Sequence, residues 1–236
     1  MNGGCVLSVK ALTKSFKDSP TPILDSINFQ LHPGDVYCLL GANGCGKTTF
    51  LRTLTGIYPP ASGEILFWDK PLTRKARKKI GYLEDKMPEF PFLRVRDYME
   101  LSLSLFGYAS DERGKLTEQY LNRVGLWDAR EKYLGALSHG MEKRLGIAQM
   151  ISHDPEILFF DEPLEGLDME GLFFFQNFLA DCRQQKRTVL LTTHLYAQIK
   201  QMGTAAGILL NGKIQEVALA DMDAGFLSQA FKGASK

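Results

Sequence analysis

Apolar residues change their spacing several times along the chain, and each change marks a change of element. Val6-Leu-Ser-Val-Lys-Ala-Leu12 and Ile27-Asn-Phe-Gln-Leu31 alternate at period two, the pattern of strands with one buried face. Pro33-Gly-Asp35 then turns the chain into Val36-Tyr-Cys-Leu-Leu40, a continuous apolar run that suits a strand covered on both sides. Helical spacing over Lys47-Thr-Thr-Phe-Leu-Arg-Thr-Leu54 follows, and residues 58–63, rich in Pro, Ser and Gly, make a loop. Residues 64–68 and 79–83 read as further strands, the second running into acidic residues.

From Val95 to about Leu134 the spacing becomes helical, with Tyr98, Leu101 and Leu105 expected on one face and Leu116, Tyr120, Leu121 and Val124 on another. This predicts an inserted α-helical lobe over about 88–136. Strand-like runs return at 156–160, 188–193 and 207–211, separated by helical stretches, which is the logic of a parallel sheet with crossover helices. Leu172-Phe-Phe-Phe-Gln-Asn-Phe-Leu179 reads as a helix packed on that sheet, with an exposed partner-binding stripe as the alternative. Leu219, Met222, Phe226, Ala230 and Phe231 predict a short closing helix at about 218–231.

The bulk numbers narrow the field. At 236 residues the chain suits one large α/β domain spanning 1–236. With 28 basic against 27 acidic residues, nothing in the charge balance asks for nucleic acid, and Arg74-Lys-Ala-Arg-Lys-Lys79 reads as a solvated face. No apolar run approaches the ~18 residues of a membrane span, and no charged-then-apolar leader opens the chain, so any membrane role would pass through a partner. Four scattered cysteines without a C-x-x-C pair suit free thiols in a reducing cytoplasm.

The chemistry is concentrated in three segments. Gly41-Ala-Asn-Gly-Cys-Gly-Lys47-Thr48, between a buried strand and a helix, satisfies G-x-x-x-x-G-K-[ST]; its backbone N–H groups would wrap phosphate oxygens, Lys47 would reach the β/γ-phosphates and Thr48 would hold Mg²⁺. The expected nucleotide contacts are Gly41, Ala42, Asn43, Gly44, Cys45, Gly46, Lys47, Thr48 and Thr49, with the Cys45 side chain passive. Phe159-Phe-Asp161-Glu162 ends an apolar run in two carboxylates, Asp161 for the metal and Glu162 to polarise a water for attack on the γ-phosphorus. Leu137-Ser-His-Gly-Met141 stands at the start of a helix, where Ser138 and Gly140 would make an anion site.

Together these segments resemble the nucleotide-binding subunit of ATP-binding-cassette (ABC) transporters, in the family's motif order and over nearly the whole chain. The resemblance implies a P-loop NTPase with a mixed, largely parallel sheet core, an N-terminal antiparallel β-subdomain and an inserted helical lobe. It implies ATP and Mg²⁺ as cofactors, an integral membrane permease as partner, and a second ABC subunit whose Ser138 and Gly140 complete the site in trans. It also implies His194 as the γ-phosphate sensor, Asp168 in the loop after the carboxylates, and Phe16 as the aromatic that stacks on adenine, where Tyr is more usual.

Two positions depart from the pattern. Asp85 stands where Gln is common, as a further metal contact that adds negative charge near the γ-phosphate. His139 and Met141 replace the usual Gly and Gln of the signature, with His139 expected to be a solvent-facing spacer. Phe90 and Phe92, within Met87-Pro-Glu-Phe-Pro-Phe92, admit two readings, loop packing or a groove for a permease helix. Catalysis would then fall to Lys47, Glu162 and His194, in an exporter-like subunit placed on the cytoplasmic side of the membrane. A soluble scaffold ATPase stands as the alternative.

Overall fold

The computed structural model describes residues 4–17, 21–85 and 90–221. Two sheets organise them. The first is antiparallel, in the order β2 (Leu24–Leu31), β1 (Leu7–Lys14), β4 (Ser62–Phe67), β5 (Lys70–Pro71). The second runs β10 (Lys213–Val217), β9 (Ala205–Leu210), β3 (Val36–Leu40), β8 (Thr188–Thr193), β7 (Ile157–Phe160), β6 (Ile80–Leu83). Every pair in it is parallel except β9 with β10. This is the α/β arrangement expected, with a mixed sheet at the centre and an antiparallel sheet at the N-terminal end.

The unbroken apolar runs are central strands because both of their faces are covered. Tyr37, Leu39, Phe159 and Leu190 point into a core shared with the antiparallel sheet and α1 (Lys47–Leu54). Cys38, Leu40, Phe160 and Leu191 point the other way, toward a core built with the remaining helices. That second core takes in α3 (Val95–Phe106), α4 (Ser110–Arg123), α5 (His139–Ile151), α6 (Met169–Gln184) and α7 (Ile199–Met202). The basic segment forms α2 (Arg74–Arg77), a single turn with no buried residue, as a solvated face requires.

Some expectations shift. Strand β10 was not foreseen; Lys213-Ile-Gln-Glu-Val is too polar and short to stand out, yet Gly212 turns it back onto β9. On α3 the buried stripe is Val95, Tyr98, Met99, Ser102 and Leu103, while Leu101 and Leu105 face outward. The stripe is centred where α4 and α5 meet α3, so Leu101 and Leu105 fall on its flank. On α6, Phe175, Phe178 and Leu179 are buried as a packed helix demands, with Phe173 exposed. Of the closing helix, Leu219–Asp221 forms one 3₁₀ turn, and Met222, Phe226, Ala230 and Phe231 lie outside the described residues, as do Met87 to Glu89.

Candidate active site

The carboxyl ends of β3, β7 and β8 bring three chemical segments to one place. From β3 the chain enters the loop 41–46, where Gly46 adopts φ 111° and a Cβ would lie 2.8 Å from Ile23 Cγ2, so only glycine fits. Helix α1 then begins at Lys47 without a side-chain cap, leaving its first N–H groups for a ligand. Lys47 is buried, and its ammonium folds back to donate to the carbonyls of Gly41 at 2.7 Å and Ala42 at 3.1 Å. Cys45 lies partly buried beside it; burial pushes the thiol up from its ordinary range, more than the Lys47 ammonium pulls it down. A passive thiol is the result.

Asp161 and Glu162 follow β7, and both are buried. Thr192 on β8 holds them. Its hydroxyl donates to Asp161 Oδ1 at 2.7 Å and accepts from the Glu162 N–H at 3.1 Å. Glu162 has φ 47°, a left-handed conformation that a non-glycine residue adopts only when its surroundings enforce it. This turn aims the carboxylate back at the loop: Oε1 lies 2.9 Å from Lys47 Nζ, and Oε2 meets the N–H and Nδ1 of His194 at 3.2 and 3.1 Å. The Lys47 contact is an ion pair, and among the described residues Oε1 has no hydrogen-bond partner.

The other expected residues lie around this cluster. Phe16, half exposed, packs edge-on against Tyr58 with the Lys14 ammonium 4.9 Å from its ring centre; Arg52 hydrogen-bonds the Tyr58 hydroxyl. Ala42, Asn43 and Gly44 are exposed, and Thr48 and Thr49 partly so. Asp168 caps α6, accepting from the Gly171 N–H at 2.8 Å. Asp85 reaches toward α5, where Lys143 donates to its Oδ1 at 3.1 Å.

Ser138 and Gly140 stand apart from the cluster. Ser138 is the N-cap of α5 and accepts from the Met141 N–H at 3.3 Å, while nothing lies within 4 Å of where a Gly140 side chain would start. Among the described residues no hydrogen bond joins either to Lys47, Asp161, Glu162 or His194. His139 is more than a spacer: Nε2 lies 2.9 Å from the Glu165 carbonyl, and Gly166 packs against the ring. Thr192 and Lys143 were missed from the sequence. A buried threonine directly after the apolar run of β8, and a lysine on the buried side of α5, were the available signals.

A family model for ABC transporters matches residues 24–165, from β2 through the Glu162 turn. The chain belongs to the ABC transporter family. It is similar to the lantibiotic transport ATP-binding protein SrtF of Streptococcus pyogenes, 30% identical over 209 residues that cover 89% of each chain. A solved relative is cbiO1 of Clostridium perfringens, part of the cbiONQ ABC transporter complex, at 26% identity and a TM-score of 0.80, covering 96% of this chain and 92% of that one. The fold also matches an ATP-binding cassette solved as a dimer in a post-hydrolysis state with ADP and Pi, at 24% identity and a TM-score of 0.80 over 90% of this chain and 98% of the other. The chain is thus the ATP-binding subunit of an ABC transporter and an ATPase. No described helix is long and apolar enough to cross a membrane.

Proposed function

We propose that two copies of the chain, or this chain and a related cassette, close head to tail around two ATP molecules and drive export through an integral membrane permease. One observation carries the reading: Lys47, Asp161, Glu162 and His194 converge, whereas Ser138 and Gly140 present an open helix start with no phosphate loop of their own chain against it. Each chain then holds one complete phosphate cradle and one orphan anion site, and a head-to-tail pair satisfies both.

The resting contacts suggest how nucleotide would work. Lys47 and His194 occupy both oxygens of Glu162, so the carboxylate is engaged before ATP arrives. A γ-phosphate carries more charge than Glu162 and would draw Lys47 and His194 to itself. Glu162, held in place by Thr192 through its N–H, would then face the attacking water as general base. Loop residues 41–49 would hold the phosphates, Phe16 would stack on the adenine and Asp168 would lie at the seam beside the facing loop. Mg²⁺ suits the hard oxygen donors here: Thr192 fixes one Asp161 oxygen and leaves the carboxylate to share with the Thr48 hydroxyl. When bound it neutralises charge on the β- and γ-phosphates. Asp85 would join it only by leaving Lys143.

Permease docking is supported by exposed aromatics in and just before the helical stretch, where Phe92 is 71% exposed, Tyr133 51% and Phe90 38%. Such a surface fits a short helix of a membrane partner and would place the subunit at the inner face of the membrane. The direction, export, rests on the likeness to a lantibiotic transport protein.

Sedimentation of a Glu162→Gln chain with Mg²⁺ and excess ATP tests the pairing. The expected result is a dimer that dissociates when ATP is removed, with wild-type turnover per chain rising with concentration. A strictly monomeric Glu162→Gln chain, together with turnover independent of concentration, would overturn it.

A further inference from the structure

Lys143 lies one turn into α5, and only 4% of it is exposed. A buried ammonium is tolerated only when its protons are matched by acceptors. Here three oxygens surround it: the Asp85 carbonyl at 2.7 Å, Asp85 Oδ1 at 3.1 Å and, at the edge of bonding distance, the Glu162 carbonyl at 3.5 Å. Two of them belong to the loop after β6 and the third to the turn after β7. The same helix begins with Ser138 and Gly140, so one side chain ties the exposed anion site to the peptide of the proposed general base.

The environment makes the tie specific. Lys143 lines a small cavity together with Leu83, Ile147, Pro163 and Leu167, whose side chains carry no hydrogen-bond acceptor. Asp85 is 39% exposed, and its carboxylate turns inward to Lys143. A neutral amide at position 85 would leave the buried cation without a counter-charge, so Asp85 and Lys143 make sense as a pair. The sequence oddity at 85 and the missed lysine at 143 are thereby one feature.

We propose that Lys143 and Asp85 are positioning residues, an inter-lobe joint that makes the pose of the signature helix depend on the Glu162 turn. The joint rests on the head-to-tail reading for its effect on turnover. As ATP takes Lys47 and His194, the Glu162 turn keeps its place through Thr192, and the Lys143 ammonium holds the start of α5 against that turn. Ser138 and Gly140 are thereby set for the partner's phosphate only when the Glu162 turn is in its working position.

The test uses the full chain with Lys143→Met, Asp85→Asn and the double variant Lys143→Gln/Asp85→Gln, which replaces the ion pair by a neutral hydrogen-bonded pair. Steady-state ATP hydrolysis gives kcat and KM, a fluorescent ATP analogue reports binding to separate chains, and thermal melts confirm folding. Both single variants are expected to lower kcat by about 10-fold or more while analogue affinity stays within about 2-fold, and the double variant is expected to recover most of kcat. Folded single variants with kcat within about 2-fold of wild type would overturn the proposal. So would equal losses in kcat and analogue binding, or a double variant no better than the worse single one, since either describes plain structural damage. In a Glu162→Gln background the same variants should need more ATP to dimerise. If unmodified Glu162→Gln does not dimerise, the head-to-tail reading fails on its own, before the joint is in question.

Discussion

The phosphate cradle and the signature arm are both helix starts, yet they are built to opposite plans. At the cradle, α1 begins without a cap, its lysine is buried, and the surrounding charges are already paired with one another: Lys47 with Glu162, Glu162 with His194, Asp161 with Thr192. At the signature, α5 begins with a serine cap in the open, Ser138 is exposed, and among the described residues nothing lies within 4 Å of where a Gly140 side chain would start. The first site keeps its charged groups in mutual contact, and the second leaves a helix start open. On the head-to-tail reading proposed above, the isolated chain would then bind nucleotide yet be incomplete as a catalyst.

Substitution at the two helix starts should separate these roles most sharply. Lys47→Ala removes the buried cation and is expected to cut turnover by about 10³-fold and to weaken nucleotide binding to separate chains, as measured by a fluorescent analogue. Gly140→Asp places a carboxylate in open space at the signature, where it would oppose a partner's phosphate. It should cut turnover by about 10²-fold yet leave binding to separate chains within about 2-fold. Equal binding losses at both sites would erase the distinction drawn here.

Thr192→Val probes the support behind the cradle. It keeps the shape of the side chain but strips the hydroxyl from Asp161 Oδ1 and from the Glu162 N–H, both buried. Leaving those groups unmatched should cost about 1–3 kcal/mol of stability by denaturant unfolding and raise the Mg²⁺ concentration needed for half-maximal turnover. An unchanged unfolding midpoint would show that the hydroxyl does not hold the two carboxylate residues.

The smallest effect concerns the far end of the signature helix. His153 stacks on Phe106 and meets the Ile80 carbonyl, with Nδ1 buried and unpaired. Burial holds its pKa below the usual histidine range, so the folded state keeps it neutral. Its contribution to stability is complete above the ordinary value of about 6.5 and is lost as pH falls through the lower folded value, because the unfolded chain takes up the proton first. Melting temperature should therefore fall between pH 7.5 and 5.5 by less in His153→Gln than in the wild type. An identical fall in both would remove His153 as a cause.

The contrast between the two helix starts also explains what could be read from residues alone. The cradle is written locally: glycines, a lysine and two hydroxyls within one loop, an apolar run before it, and another apolar run ending in Asp161-Glu162. The chemistry dictates such spacing, so strand, loop and helix were all legible there. Relations between distant segments were not. Nothing in the order of residues says that Thr192 meets Asp161, that Lys143 meets Asp85, or that His139 leans on Glu165 and Gly166, because these contacts arise only when β6, β7 and β8 lie side by side beneath α5. The α3 stripe is ambiguous for a similar reason: Leu101 and Leu105 fit a helical period, and only packing against α4 and α5 decides which part of the period is buried.

If the open signature of one chain works on the nucleotide held by another, mixing two inactive variants restores activity. Lys47→Ala chains have a dead cradle and an intact signature, while Ser138→Arg chains have the reverse. In head-to-tail pairs of one with the other, one site has both halves intact, so mixing equal amounts should restore ATP hydrolysis to at most about a quarter of the wild-type rate. Turnover in the mixture no greater than the sum of the two variants measured alone would contradict the account.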